Sequence, residues 1–113
     1  MPPIATYSPG DVVIVPFPFT DRAASKRRPA LVCSSHQFNA ASKHLVLAMI
    51  TSATHYDWPG DVPIRELAGT GLSAASVVRW KLFTLDRSYI IRRAGALSPT
   101  DRAACRAALP VEL

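Results

Sequence analysis

The 113-residue sequence lacks the patterns that metal and cofactor sites need. Its three histidines, His36, His44 and His55, show no i,i+4 pairing and have no companion cysteines, which argues against a zinc site. The carboxylates are scattered, with no close pair to hold magnesium or to divide acid and base roles. No GxGxxG motif or P-loop occurs, and the glycines of segment 69–71 indicate only a flexible turn. We therefore expect no cofactor, and either metal-free chemistry or plain binding.

Cysteines and long apolar runs are also scarce. Cys33 and Cys105 are far apart, one in an apolar run and one in an Ala-rich segment, so core thiols in a reducing compartment are expected rather than a disulfide. The N-terminus has neither the basic region nor the apolar stretch of a signal peptide. No apolar run is long enough to span a bilayer. Together these absences predict a cytoplasmic protein.

What is present is a single, basic, globular domain. At 113 residues, with 49% apolar residues, the chain can build one modest core, so residues 1–113 are expected to form one domain. Lys and Arg number 13 against 8 acidic residues, a formal net charge of +5. Such a balance favours an anionic partner, namely nucleic acid, an acidic protein or a membrane surface.

Apolar and β-branched runs predict a mainly β fold. Two of these runs do not alternate apolar with polar residues, so each strand needs cover on both faces, from the terminal helix or from another subunit. Segments 20–28 and 37–43 are polar and predict connections, whereas 86–93 fits either a helical turn or a strand. The predicted strands are 11–17, 29–33, 45–50, 62–64 and 75–85.

The C-terminal segment has the pattern of a capped helix. Ser98 is placed to be the N-cap, Pro99 the first helical residue and Asp101 the acid of a capping box. The helix is expected to end at Leu109, before Pro110, and to pack its Ala/Leu face on the sheet because it is too short to be stable alone. The fold class is therefore a mostly antiparallel, five- to six-stranded small barrel closed by a C-terminal helix.

The candidate site starts from the basic turn 25–29. Arg28 directly precedes Pro29, which biases Arg28 towards extended backbone, and its guanidinium can hold two phosphate oxygens at once. Thr51 and Ser52 follow the strongest apolar run at the point where its strand emerges. A basic run is usually a solvated surface, and hydroxyl residues often only begin a turn. The functional interpretation requires Thr51 and Ser52 to lie near Arg28.

Four segments together resemble the MazF/PemK toxin family. They are 10–15, 28–32, 50–52 and 76–79, and their order and spacing extend the resemblance from Gly10 to the terminal helix. The resemblance implies an SH3-like barrel, a cytoplasmic homodimer without a membrane partner, and a metal-independent endoribonuclease of a type II toxin–antitoxin pair. It implies RNA as substrate and a cognate antitoxin protein as partner. It also places the catalytic arginine at Arg28, the catalytic threonine at Thr51 and a further functional arginine at Arg79.

These residues suit RNA cleavage by the RNA's own 2′-hydroxyl. Arg28 would stabilise the charge that builds on the phosphate oxygens, and Thr51 would orient the phosphate. The aromatic residues Trp58, Phe17 and Phe19 could stack unpaired bases; packing is the commoner role for the two phenylalanines, whereas the two roles are about evenly balanced for Trp58. The expected substrate-binding residues are Lys26, Arg27, Ser52, Trp58, Arg79 and Lys81.

One departure from the family pattern keeps a second function open. After Arg79, where some members carry an acid-Gln pair, this chain has Trp80-Lys81-Leu82, and Lys81 cannot accept a proton as the acid could. Lys81 could instead hold an RNA backbone. The alternative is a non-catalytic module that binds RNA or, as the related CcdB toxins do, inhibits DNA gyrase. An inert structural domain fits the basic rim least well.

Overall fold

A single antiparallel sheet organises the molecule. The structure, a computed structural model, describes residues 6–17, 26–53 and 58–110. The sheet has six strands in the order β4-β5-β3-β2-β1-β6. Its strands are β1 (Asp11–Phe17), β2 (Lys26–Val32), β3 (His44–Ser52), β4 (Val62–Pro63), β5 (Ser76–Asp86) and β6 (Arg92–Ala96). The helices are α1 (His36–Ser42) and α2 (Pro99–Ala108), with one 3-10 turn at Arg87–Tyr89.

The mainly β architecture with a terminal helix is confirmed, but the basic segment is not a loop. Lys26, Arg27 and Arg28 belong to β2, where they pair with Phe17, Pro16 and Val15 of β1. Exposed cations are compatible with a strand when cross-strand backbone pairing supplies the structure, and the extended bias before a proline acts in the same direction. The polarity of the segment was therefore a misleading indicator of a loop.

Segment 37–43 is also not a plain connection, because it forms most of α1. Ser35 caps this helix by accepting a hydrogen bond from the Phe38 amide. The buried Asn39 side chain donates to the backbone carbonyls of Tyr7 and Ser34 and so ties the helix to the preceding segments. These tertiary bonds stabilise a seven-residue helix that would be marginal alone. Segment 86–93 divides between the two options, a 3-10 turn followed by the start of β6.

Both faces of the sheet carry an apolar cluster, which explains the unbroken apolar runs. Neighbouring residues in β1, such as Val12 and Val13, belong to different clusters. The Val12 face is covered by residues of the C-terminal region that include Leu97 and Cys105. The Val13 face is covered within the same chain by residues that share large apolar side chains, namely Tyr7, Phe83, Tyr89 and Ile90. The predicted packing of the terminal helix on the sheet is thus confirmed.

The segment between β4 and β5, at one edge of the sheet, contacts β6 at the other edge. Thr70 is fully buried, and its hydroxyl bonds to the backbone of its own turn. The Gly69 carbonyl accepts a hydrogen bond from the amide of Ala96 in β6. A Cβ on Gly95 would lie only 2.1 Å from that Gly69 oxygen, so the approach requires glycine. The turn is therefore more than a flexible connection, because it is hydrogen-bonded to β6 at the other edge of the strand order.

The helix α2 begins as predicted, but its acid has a different role. Ser98 is the N-cap and accepts from the Asp101 amide. The Asp101 carboxylate does not complete a capping box; it accepts from the backbone amides of Arg65 and Glu66. Asp101 is 1% exposed. Its buried hydrogen bonds connect the helix to a segment that is distant in sequence. The helix ends at Ala108, one residue before the predicted end.

The two cysteines are free thiols, as predicted. Burial raises the pKa of Cys33 to about 12 and that of Cys105 to about 11, so both are protonated at neutral pH. Among the described residues, none of the helices is long and apolar enough to cross a membrane.

Removing the Asp101 carboxylate should destabilise the fold more than removing the cap itself. We expect Asp101→Ala to lower the free energy of unfolding by about 2–3 kcal/mol, because two partly buried amides lose their acceptor. Ser98→Ala, which removes only the cap, should cost about 1 kcal/mol. Urea denaturation followed by circular dichroism measures both. Equal losses in the two variants would contradict the connecting role of Asp101.

Candidate active site

Arg28 and Thr51 line the same cavity, just beyond the last residue pair of the β2–β3 ladder. In the β2–β3 ladder Ala30 pairs with Met49, and continuing this antiparallel register by two residues opposes Arg28 to Thr51. Opposed residues share a face of the sheet, so the two side chains emerge on the same side. Both residues line one open cavity of about 180 Å³ beside the loop 72–76. Ser52 lines it as well, so three of the predicted site residues come together.

Arg28 is available to bind an anion. Its side chain is exposed, and its guanidinium carbon lies 5.5 Å from the centroid of the Phe17 ring. Within residues 6–17, 26–53 and 58–110, no carboxylate pairs with it. Phe17 is itself 37% exposed. The cation is thus supported by an aromatic face and not neutralised by an acid, the arrangement that a phosphate-binding group requires.

Arg79 has a different environment. It is 6% exposed, and its Nε and Nη2 donate to the two oxygens of Asp61 at 3.2 and 2.8 Å. The hydrogen bond from Arg79 is the main cause that holds the pKa of Asp61 below its usual value. Asp61 also accepts from the Trp58 amide at 3.2 Å. A buried guanidinium with this bidentate partner is suited to positioning its neighbours, so the geometry disfavours the predicted direct contact of Arg79 with substrate.

Sequence reasoning missed Asp61. The residue closes the turn Trp58-Pro59-Gly60-Asp61, and an Asp beside Pro-Gly is a turn signal that accounts for it without any function. Its partner lies in β5, 18 residues further along the chain. Only the pairing of β4 with β5 brings the turn next to Arg79.

A bulge in β5 turns Lys81 towards Trp58. Ala48 pairs with Leu82 and the next residue, Met49, pairs with Arg79, so Trp80 and Lys81 are extra residues in β5. The Lys81 Nζ lies 4.5 Å from the centroid of the Trp58 ring, and the Arg79 guanidinium carbon lies 5.9 Å from it. The structure therefore brings together Trp58, Arg79 and Lys81, which the sequence suggested separately.

The remaining predicted residues lie further from the cavity. Lys26 and Arg27 are exposed in β2 but do not line the Arg28 cavity. Strand alternation puts Lys26 on the Arg28 face and Arg27 on the opposite face. Phe19 lies outside the described residues. In the part of the chain that the structure describes, no three His, Cys, Asp or Glu side chains are grouped as a metal site would require.

The family is shown by a match over almost the whole chain. A family model described as PemK-like, MazF-like toxin of type II toxin-antitoxin system matches residues 8–113. The chain belongs to this family. Among curated protein sequences, none matches it.

Solved structures of MazF-like toxins share the fold. A MazE–MazF structure from Deinococcus radiodurans has a TM-score of 0.71 at 20% identity and covers 94% of this chain and 93% of its own. A MazF structure from the same organism has a TM-score of 0.71 at 24% identity, with 94% of each chain covered. An endoribonuclease in complex with its cognate antitoxin from a mycobacterial species has a TM-score of 0.72 at 16% identity, covering 96% of this chain and 100% of that one.

The Asp61–Arg79 pair of this MazF-like protein should contribute to stability in a pH-dependent way. Because the folded-state pKa of Asp61 is depressed, its contribution is present above the unfolded pKa of about 3.9 and is lost as the pH falls towards the folded value. We expect Asp61→Asn to lower the unfolding free energy by about 2 kcal/mol at pH 7, and less at pH 3.

The matched control is Asp86→Asn, because Asp86 is half-exposed and lies 3.8 Å from His44. This variant should change stability little at either pH. Urea titrations at both pH values measure the unfolding free energy. Urea is used because guanidinium chloride is a salt and would screen the ion pair. A loss for Asp61→Asn that does not shrink at low pH would contradict the ion pair as its source.

Proposed function

We propose that this protein cleaves single-stranded RNA without a metal ion, at the cavity that Arg28 and Thr51 line. As a member of the PemK-like, MazF-like family, the protein is a toxin of a type II toxin–antitoxin system with endoribonuclease activity. The substrate form, the mechanism and the residue roles are the proposal. The observation that carries it is an exposed guanidinium, not paired with an acid among the described residues, that lines the same cavity as a threonine.

In the proposed reaction the RNA supplies its own nucleophile. The 2′-oxygen forms a bond to the adjacent phosphorus and loses its proton, while the bond from phosphorus to the 5′-oxygen breaks and that oxygen gains a proton. The products are a 2′,3′-cyclic phosphate and a 5′-hydroxyl end. Negative charge grows on the non-bridging oxygens, where the Arg28 guanidinium stabilises it and the Thr51 hydroxyl donates a hydrogen bond. Arg28 does not act as the proton donor, because an arginine side chain stays protonated in proteins.

The second half of the site is proposed to hold the flanking nucleotides. Phe17 and Trp58 offer aromatic surfaces on which unpaired bases can stack, and Lys81 is an exposed cation beside Trp58 for the RNA backbone. Arg79 lies on the same sheet as Thr51, two residues along β5 from the Val77 that Thr51 pairs with, or about 7 Å. We assign Arg79 to positioning Trp58 through Asp61, and not to contact with RNA.

We infer two protein partners. One solved neighbour is an endoribonuclease with its cognate antitoxin, and another is a MazE–MazF structure. An acidic or extended antitoxin segment over the Arg28 cavity would neutralise the exposed guanidinium and exclude RNA. A cytoplasmic homodimer remains part of the proposal. It now rests on the family, because the apolar runs that also suggested a second subunit are covered within the chain.

The decisive test of catalysis uses a long single-stranded RNA in EDTA. We expect discrete cuts with 5′-hydroxyl ends, and a roughly 100–1000-fold slower reaction for Arg28→Ala, since one stabilising donor is lost. Arg92→Ala is the matched control, because Arg92 is an exposed arginine of β6 outside the cavity. Thr51→Val should also slow cutting while leaving the fold intact.

Two outcomes would contradict the proposal. Intact RNA in EDTA would exclude metal-free cleavage, and a supercoiling assay with DNA gyrase would then test the CcdB-like alternative. Cutting that Arg28→Ala leaves unchanged would place the chemistry elsewhere on the chain.

The dimer has a separate test. Light scattering at micromolar concentration should give about twice the 12.2 kDa mass of the chain. The mass of one chain at that concentration would contradict the homodimer without affecting the cleavage proposal.

A further inference from the structure

A second cavity lies between α2 and the sheet, away from Arg28. Its volume is about 570 Å³, within the range of about 300–1,000 Å³ typical of small-molecule sites. None of its lining residues lines the cavity beside Thr51. Its apolar lining includes Leu31, Val32, Leu97 and Leu109. The RNA-cleaving chemistry proposed above has no use for such a space.

Two guanidiniums that no acid pairs with in the described part of the chain border this cavity. Arg102 and Arg106 both line it and are exposed residues of α2. They are four residues apart and so occupy the same side of the helix, where like charges repel. Among residues 6–17, 26–53 and 58–110, no acidic residue lines the cavity and no ion pair involves either arginine. An anion placed between them would relieve the repulsion.

The geometry of Arg102 is constrained by its contact with Gly10. A Cβ added to Gly10 would lie 2.8 Å from the Arg102 Cδ, so the arginine stem lies directly on this glycine. Gly10 also lines the cavity. The stem of Arg102 therefore packs against the cavity wall, which places its guanidinium at the border of the cavity.

The polar groups deeper in the cavity are neutral. Cys33 and Cys105 line it, and burial keeps both thiols protonated, so neither supplies the negative charge that the arginines lack. The nearby Asp101 carboxylate is held by the backbone amides of Arg65 and Glu66 and does not line the cavity. As far as the described residues show, the interior is thus uncharged and largely apolar, with positive charge at the helix side.

We propose that this cavity binds a small amphipathic organic anion. The apolar body of the ligand occupies the space against Leu31 and Leu97, and its carboxylate or sulfonate head is held by Arg102 and Arg106. Binding here is separate from RNA binding at Arg28. It would therefore give the toxin a small-molecule site that does not compete directly with RNA.

Calorimetric titration with decanoate below its micelle concentration tests the proposal. We expect one saturable site per chain, and at least about tenfold weaker binding of decanol, which has the same apolar body without charge. The Arg102→Gln/Arg106→Gln variant should lose this preference. The control is Arg65→Gln/Arg92→Gln, which removes the same net charge from exposed residues outside the cavity and should bind decanoate normally.

A second readout locates the ligand. Trp80 lines the cavity, so bound decanoate should shift the Trp80 fluorescence of a Trp58→Phe chain, and should not do so when Arg102→Gln/Arg106→Gln is added. Thermal melts show whether each variant is folded. The proposal is overturned by no saturable binding, by equal binding to the double variant, by unchanged Trp80 fluorescence, or by one ligand per two chains, which would place the site between two copies.

Discussion

The register of the antiparallel ladders around β2 is the constraint on which the rest depends. Ala30 sits between Val13 of β1 and Met49 of β3, and two residues earlier the same register brings Arg28 opposite Val15 and towards Thr51. A slip by one residue would move each of these side chains to the other face of the sheet. Because both faces are apolar and filled, such a slip would also disrupt two cores, so the packing that stabilises the fold also determines the position of the site.

The site contains two arginines whose different roles follow from their partners. Arg28 is exposed, lies against Phe17 and has no acid beside it among the described residues, so its charge is directed to solvent or a ligand. Arg79 is buried and bidentate to Asp61, so its charge is already compensated. Residue type alone does not distinguish a binding group from a structural one. The presence or absence of a paired carboxylate distinguishes the two roles. An arginine already paired with an acid gains little from a phosphate, whereas an unpaired one gains a countercharge that offsets the cost of desolvating its guanidinium.

Two aspartates show how this small fold holds its irregular segments. Asp61 joins the Trp58 turn to β5, and Asp101 joins the first turn of α2 to the backbone at Arg65 and Glu66. In each case one carboxylate accepts from backbone amides that lie outside the strand ladders, that of Trp58 for Asp61 and those of Arg65 and Glu66 for Asp101. The loop 72–76 at the rim of the Arg28 cavity follows the buried Thr70 turn, which is bonded to β6. The rim of the site therefore rests on ordered backbone, as preorganised catalysis requires.

The sequence by itself determined the strands of the core and the capped start of the terminal helix at Ser98, because these depend on patterns within a few neighbouring residues. The order and spacing of four such patterns along the chain also indicated the family. The sequence also identified Arg28 and Thr51 as candidates. Only the tertiary structure decided that Lys26–Val32 is one strand, that His36–Ser42 is a helix, and that Asp61 holds Arg79. These features depend on contacts between segments far apart in the chain. Local propensity does not encode such contacts, since they arise only once the strands have taken their register.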